Sequence, residues 1–243
     1  MCIIVYKPKD HVISEDILDN CWNTNKDGAG IAVVEKKNTT VIKGIMSKKE
    51  LMKLKKYINR NEVVIHFRYA THGLKNESNT HPFVVSNNVD DLKRVCYNTS
   101  SPVIAHNGVI PNVQRCSTIS DTMEFILSNH DNIHKACKVE SDSNKFAVIE
   151  QGKVHLYGKW IYDNGIYYSN DGYEEKFHWY YSPKSKQGKL WNYLNNSDDY
   201  FSEEVNDDCE YGICETCGDI VEDCYCNACG TFIEGEDKYG QIL

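Results

Sequence analysis

The sequence predicts a sheet-rich α+β fold, and three observations carry that prediction. Strand-like and helix-like stretches come in separate runs, not in a regular βαβ alternation. Two apolar runs at residues 145–150 and 154–157 flank Gln151-Gly152, a hairpin signal. The chain has 243 residues, of which 41% are hydrophobic, enough for one large domain or one domain plus a small appendage.

The elements follow in order. Residues 3–6 form a short apolar run that begins immediately after Cys2. Ser14 can cap a helix that carries Glu15 and Asp16 in its first turn and Ile17, Leu18 and Cys21 on one face. Residues 29–35 read as a strand after the turn Asp27-Gly28. Ser47-Lys-Lys-Glu50 is a capping box, and Leu51, Leu54 and Ile58 share one helical face behind it. Residues 62–70 predict a strong strand, with Val64, His66 and Arg68 on one side and Val63, Ile65, Phe67 and Tyr69 on the other. Residues 103–105 predict another strand, ending in His106-Asn107-Gly108. Residues 121–128 predict a helix with Met123, Ile126 and Leu127 inward, and residues 165–169 a late strand.

The formal net charge of -8 gives no basic face of the kind direct nucleic-acid binding needs. No run of about 18 apolar residues predicts a membrane span, and the N-terminus does not have the pattern of a secretory signal. A cytoplasmic location is expected. Six of the eleven cysteines crowd into residues 209–229, which favours a metal site over a disulfide framework. Residues 182–208 are polar and end in a strongly acidic stretch, so they read as a linker.

Cys2 is the candidate nucleophile. Removal of Met1 would leave a thiol and a free α-amine on one residue. An α-amine has an ordinary pKa of about 8, close enough to working pH to take the thiol proton without a histidine. Acyl transfer also needs substrate anchors and an oxyanion hole. Arg68 can hold a carboxylate in two hydrogen bonds. Asn107 and Gly108 offer a side-chain amide beside an approachable backbone N–H, and Asp121 can pair with an ammonium. Together these describe a site for a free amino acid with a side-chain amide. Glutamine fits, and asparagine fits the charges equally well.

These residues stand in motifs: Cys2-Ile-Ile, Asp27-Gly-Ala-Gly-Ile31, Arg68-Tyr-Ala-Thr-His-Gly73, Asn79-Thr-His-Pro82, Ala105-His-Asn-Gly-Val-Ile110 and Ser120-Asp-Thr122. In this order and spacing the chain resembles the class II glutamine amidotransferase domain found in glucosamine-6-phosphate synthase, amidophosphoribosyltransferase and asparagine synthetase. The resemblance covers about residues 2–172. It implies a four-layer αββα sandwich, the N-terminal-nucleophile hydrolase fold, over a domain of residues 2–181. It implies Cys2 as nucleophile and base, Asn107 and Gly108 as the oxyanion hole, Arg68 on the glutamine α-carboxylate with Thr71 and His72 beside it, and Asp121 on the ammonium. Two departures stand out. Tyr69 replaces a tryptophan frequent in the family, and residues 86–101 are longer and more polar than in compact members. No usual synthase domain follows, so the ammonia acceptor is expected on a separate protein. The competing readings are a hydrolase of a different amide, or a binding or structural protein that retains the fold.

Nine histidines are present, and none is assigned a proton-transfer role. His66 reads as packed, His81 as ordering a loop, and His106 as supporting the oxyanion loop. The aromatic run between Tyr157 and Tyr181 reads as sheet packing. In a zinc-ribbon-like module at residues 209–233, Cys214, Cys217, Cys226 and Cys229 form two Cys-x-x-Cys knuckles, each followed by glycine. Four thiolates at this spacing predict structural zinc. Cys224 is an alternative ligand to Cys226, and Cys209 is spare.

Overall fold

The computed structural model describes residues 2–70, 73–110 and 118–174, together with the backbone of residues 212–213 and 220–221. The chain divides into two compact units, residues 1–175 and 176–243.

In the first unit, β1 (Ile3–Lys7) leads to α1 (Glu15–Thr24). The Ser14 hydroxyl accepts from Ile17 N–H at 3.2 Å, a cap worth about 1 kcal/mol. A hairpin of β2 (Ala29–Val34) and β3 (Thr39–Ile45) follows. The capping box forms as expected: Ser47 accepts from Glu50 N–H, and the Glu50 carboxylate accepts from Ser47 N–H. The helix behind it is split at Leu54 into α2 (Lys48–Lys53) and α3 (Lys55–Arg60). Leu51, Leu54 and Ile58 are nevertheless all buried, so the apolar face predicted for one helix is presented by two.

Next come β4 (Val63–Phe67), β5 (Phe83–Val84), α4 (Val89–Lys93), β6 (Cys96–Thr99) and β7 (Val103–Asn107). The polar stretch 86–101 is therefore folded as a short helix and a strand. Helices α5 (Asp121–Asn129) and α6 (Ile133–Glu140) precede the hairpin β8 (Lys145–Glu150) and β9 (Lys153–Tyr157). Gln151 and Gly152 both lie at positive φ, 50° and 71°, as a type I′ hairpin turn requires. β10 (Ile161–Asp163) and β11 (Ile166–Tyr168) complete the unit.

Seven strands form one sheet in the order β10-β11-β1-β4-β2-β3-β6, and four form a second in the order β5-β7-β8-β9. The strand pairings among the described residues are antiparallel, from β1 with β4 (Val5 opposite Ile65) to β7 with β8 (Ala105 opposite Ala147). The sheets meet through Ile4, Ala32, Val41 and Val64 on one side and Val103, Ala105, Ala147 and Ile149 on the other. On the far face of the small sheet, Ile104, Phe146 and Val148 pack against Met123, Phe125 and Ile126 of α5 and Ile133 and Cys137 of α6. Each of these larger apolar side chains contributes about 1.5–3 kcal/mol on full burial. The alternate residues of the large sheet, including Ile3, Ile31, Ile65 and Phe67, are also fully buried, so both faces of its central strands are covered.

One strand prediction is corrected. The strand expected over 62–70 ends at Phe67, because the polar atoms of residues 69 and 70 are spent outside the ladder. Tyr69 bonds the Cys2 sulfur, and Ala70 N–H donates to Asp27 Oδ2 at 2.8 Å. Both sides of this strand are covered: Val63 to Phe67 are all buried, as suits a strand inside a two-sheet core.

In the second unit, β12 (Gly212–Ile213) and β13 (Ile220–Val221) pair antiparallel. Among the described residues, no helix is long and apolar enough to cross a membrane.

Candidate active site

Cys2 sits at the head of β1, and the end of β4 crosses beside it. Its Sγ donates to Tyr69 O at 3.4 Å and accepts from Tyr69 N–H at 3.3 Å. Its carbonyl accepts from Asn170 Nδ2 at 2.7 Å. Burial pushes the thiol pKa up. The Tyr69 peptide and the Arg68 charge pull it back without cancelling the rise, and Asp121 adds to it.

Arg68 is buried just beyond β4, and its Nη1 donates to Leu74 O at 2.9 Å. Burial lowers its pKa, while Cys2, Asp27 and Asp121 oppose the drop. Asp121 opens α5 behind the cap Ser120, whose hydroxyl accepts from Met123 N–H at 3.2 Å. Its Oδ1 accepts from Thr122 N–H at 2.8 Å. Thiol, guanidinium and carboxylate thus lie within each other's electrostatic reach, although they come from three separate elements. That is the grouping expected for a zwitterionic amino-acid substrate.

The candidate oxyanion pair ends β7. Asn107 is buried, and its Nδ2 donates to Ser169 Oγ at 2.9 Å. Gly108 has φ +149°, and a Cβ there would collide with Asn144 Oδ1. His106 braces this turn from behind: its Nδ1 bonds Thr122 Oγ1 at 2.9 Å and its Nε2 bonds Asn144 Oδ1 at 3.0 Å. His66 reaches across the two sheets, its Nε2 bonding His106 O at 3.1 Å. Burial drives the His66 pKa down to about 3 and lowers those of His81 and His106 as well. All three rings are held neutral at ordinary pH and lie near one another in tilted pairs, with His66 and His81 centroids 4.1 Å apart and His81 and His106 centroids 6.5 Å apart. This agrees with giving them supporting rather than proton-transfer roles.

Several residues of the site escaped the sequence reading. Asp27 lies in a quoted motif but received no role. Its carboxylate pairs with Lys75 at 2.6 Å and accepts from Ala70 N–H. Burial works to raise its pKa, but Lys75 and the Ala70 N–H outweigh it and leave the carboxyl below its ordinary value. Asn79 Nδ2 ties Leu74 O, at 3.2 Å, to Thr118 O, at 2.9 Å, and so links the Arg68 loop to the approach to α5. Asn144, Ser169 and Asn170 carried no local signal, because their partners lie far away in sequence.

Thr71 and His72, expected beside Arg68, lie outside the described residues. So do Cys214, Cys217, Cys226 and Cys229, the alternative ligand Cys224, and Cys209. Among the described residues, no group of three or more His, Cys, Asp or Glu side chains is placed to hold a metal ion.

Comparison with known proteins agrees with this geometry. Residues 17–137 match the family model of the class-II glutamine amidotransferases. The glutamine–fructose-6-phosphate aminotransferase (isomerizing) of Staphylococcus aureus is 37% identical over 93 residues, 36% of this chain and 13% of that protein. The protein of the same name from Buchnera aphidicola is 36% identical over 118 residues, 46% of this chain and 17% of that protein. The match therefore spans less than a fifth of the length of these relatives. On this match, the chain carries a domain of the class II glutamine amidotransferase family.

Proposed function

We propose that the chain is a glutamine-dependent amidotransferase or glutaminase whose nucleophile is Cys2, made N-terminal by removal of Met1. The observation that carries this is the position of the Cys2 sulfur, held against the Tyr69 peptide within electrostatic reach of buried Arg68 and of Asp121. The α-amine of Cys2 takes the thiol proton, and the sulfur attacks the side-chain carbonyl carbon of glutamine. Asn107 Nδ2 and Gly108 N–H receive the developing oxyanion, the largest stabilisation such sites provide. The C–N bond then breaks as the amine returns its proton to the departing ammonia, leaving a γ-glutamyl thioester. Water hydrolyses the thioester to glutamate and restores the thiol. Arg68 holds the α-carboxylate, with Thr71 and His72 beside it, and Asp121 holds the α-ammonium.

The four-layer αββα arrangement belongs to the same reading, and the packing of helices, small sheet and large sheet over residues 2–174 supports it. The ammonia acceptor is assigned to a further domain or a separate protein, as membership of the class II glutamine amidotransferases implies. A structural zinc is assigned to Cys214, Cys217, Cys226 and Cys229. The support is the spacing of the two Cys-x-x-Cys pairs, each followed by glycine.

Protection of Cys2 from iodoacetamide tests the substrate. Glutamine is expected to slow alkylation, while asparagine and simple acyl amides do not. Equal protection by asparagine, or none by glutamine, would overturn the assignment.

A further inference from the structure

We infer that Ser169 is the positioning residue for the oxyanion hole, holding the Asn107 amide so that its N–H groups are free for the substrate. The inference rests on the glutaminase reading above.

Ser169 follows β11 and is buried. Its backbone N–H donates to Ile4 O at 2.9 Å, and its hydroxyl oxygen accepts from Ile4 N–H at 2.8 Å. It is thereby locked to the strand that carries Cys2 two residues earlier. The next residue, Asn170, holds the Cys2 carbonyl itself, and its own Oδ1 accepts from Gly172 N–H at 2.9 Å. The second contact of the Ser169 hydroxyl is with Asn107 Nδ2 at 2.9 Å. One hydroxyl thus joins the nucleophile's strand in the large sheet to the oxyanion residue in the small one.

Two buried groups are left unsatisfied by that arrangement. Asn107 Oδ1 is buried with no hydrogen-bond partner, and the Ser169 hydroxyl accepts two donors while its own hydrogen has no acceptor among the described residues. Exchanging the oxygen and nitrogen of the Asn107 amide, which have nearly the same shape, pairs the Ser169 hydrogen with the amide oxygen and turns the NH2 group to the place where the oxygen had no partner. Ser169 then accepts from Ile4 N–H and donates to Asn107 Oδ1, and both Nδ2 hydrogens are released. In this orientation the two amide hydrogens have no partner in the free protein, a cost that is relieved when a substrate oxygen accepts from them. It is the orientation that catalysis needs, because an oxyanion hole is made of donors already aimed before charge develops.

The test uses the full-length chain and compares wild type with S169A, S169T, N107A and S169A/N107A. S169A is expected to lower kcat for glutamate release by about 10- to 100-fold, less than the ~100- to 1,000-fold cost of deleting a donor outright. KM and the rate of Cys2 alkylation should stay within about twofold. S169T, which keeps the hydroxyl, should recover most of kcat, and the double variant should be no slower than N107A. An equal loss from S169A in both backgrounds, or a loss of alkylation in step with kcat, would overturn the inference. If wild type releases no glutamate although its Cys2 is alkylated, the glutaminase reading has failed instead. The side-chain amide resonances of Asn107 in ¹⁵N-labelled protein then decide. Displacement in S169A with return in S169T supports the contact, and unmoved resonances refute it.

Discussion

Cys2 and Tyr69 are bonded in both directions: the thiol donates to the Tyr69 carbonyl at 3.4 Å and its sulfur accepts from the Tyr69 N–H at 3.3 Å. The N–H contact favours a thiolate, whereas burial opposes one, and burial prevails. Alkylation of Cys2 should therefore climb with pH to a midpoint above that of an ordinary cysteine, near 8.5. Arg68 lowers the thiol pKa and Asp121 raises it, so R68Q should move the midpoint to higher pH and D121N to lower pH. Iodoacetamide rates measured across pH check both signs.

The Asp27–Lys75 pair makes a prediction about the loop that carries Arg68. Lys75 is 64% exposed and Asp27 16%, so solvent screens the pair and its loss should cost under about 1 kcal/mol at neutral pH. The folded-state pKa of Asp27 is depressed. Its contribution is therefore present above the ordinary carboxylate pKa of about 4 and is lost as pH falls through the lower folded value. Urea midpoints of wild type and K75A should differ slightly at pH 7 and converge in acid. K75A should raise KM for glutamine more than it lowers kcat, since it loosens the segment that aims Arg68.

Gly108 cannot be replaced without disturbing the oxyanion turn. Its φ of +149° strains any residue with a side chain by about 1–3 kcal/mol, and a Cβ would collide with Asn144 Oδ1. G108A should lose about 100-fold or more in kcat, because the N–H that receives the oxyanion is displaced. Alkylation of Cys2 should remain near the wild-type rate. Steady-state kinetics and thiol labelling on one preparation check the pair of outcomes.

The cysteine-rich end should carry one zinc per chain, measured by elemental analysis after exhaustive dialysis. Replacing Cys214 and Cys217 together should abolish the metal, and C209A should leave it. Retention of zinc by the double variant would remove the knuckle assignment.

Local chemistry was the legible part of the sequence. The Ser14 cap, the Ser47–Glu50 capping box and the Gln151-Gly152 hairpin each depend on contacts within a few residues, and all three form. β3 was not anticipated, because Thr39, Thr40 and Lys43 break its apolar pattern. Lys43 is nonetheless fully buried, its Nζ donating to Ser78 O at 2.8 Å and Leu92 O at 2.7 Å over the face of Phe83. No nearby residue announces such partners. Helix α6 also escaped notice: only Ile133 and Cys137 of its eight residues are buried, among polar neighbours. At the site, the motifs marked the residues expected to touch substrate. The residues that hold them, Asn144 and Ser169, are joined to them only by the fold, as in the contact between Ile4 and Ser169 across 165 positions.

The most direct test of the account is glutamate release from glutamine by the full-length protein and by C2A, with the N-terminal peptide of the wild type sequenced by mass spectrometry. The account predicts a chain that begins at Cys2, glutamate release by wild type, and none above background by C2A. A retained Met1 on active protein, or a C2A variant that releases glutamate at the wild-type rate, would contradict it.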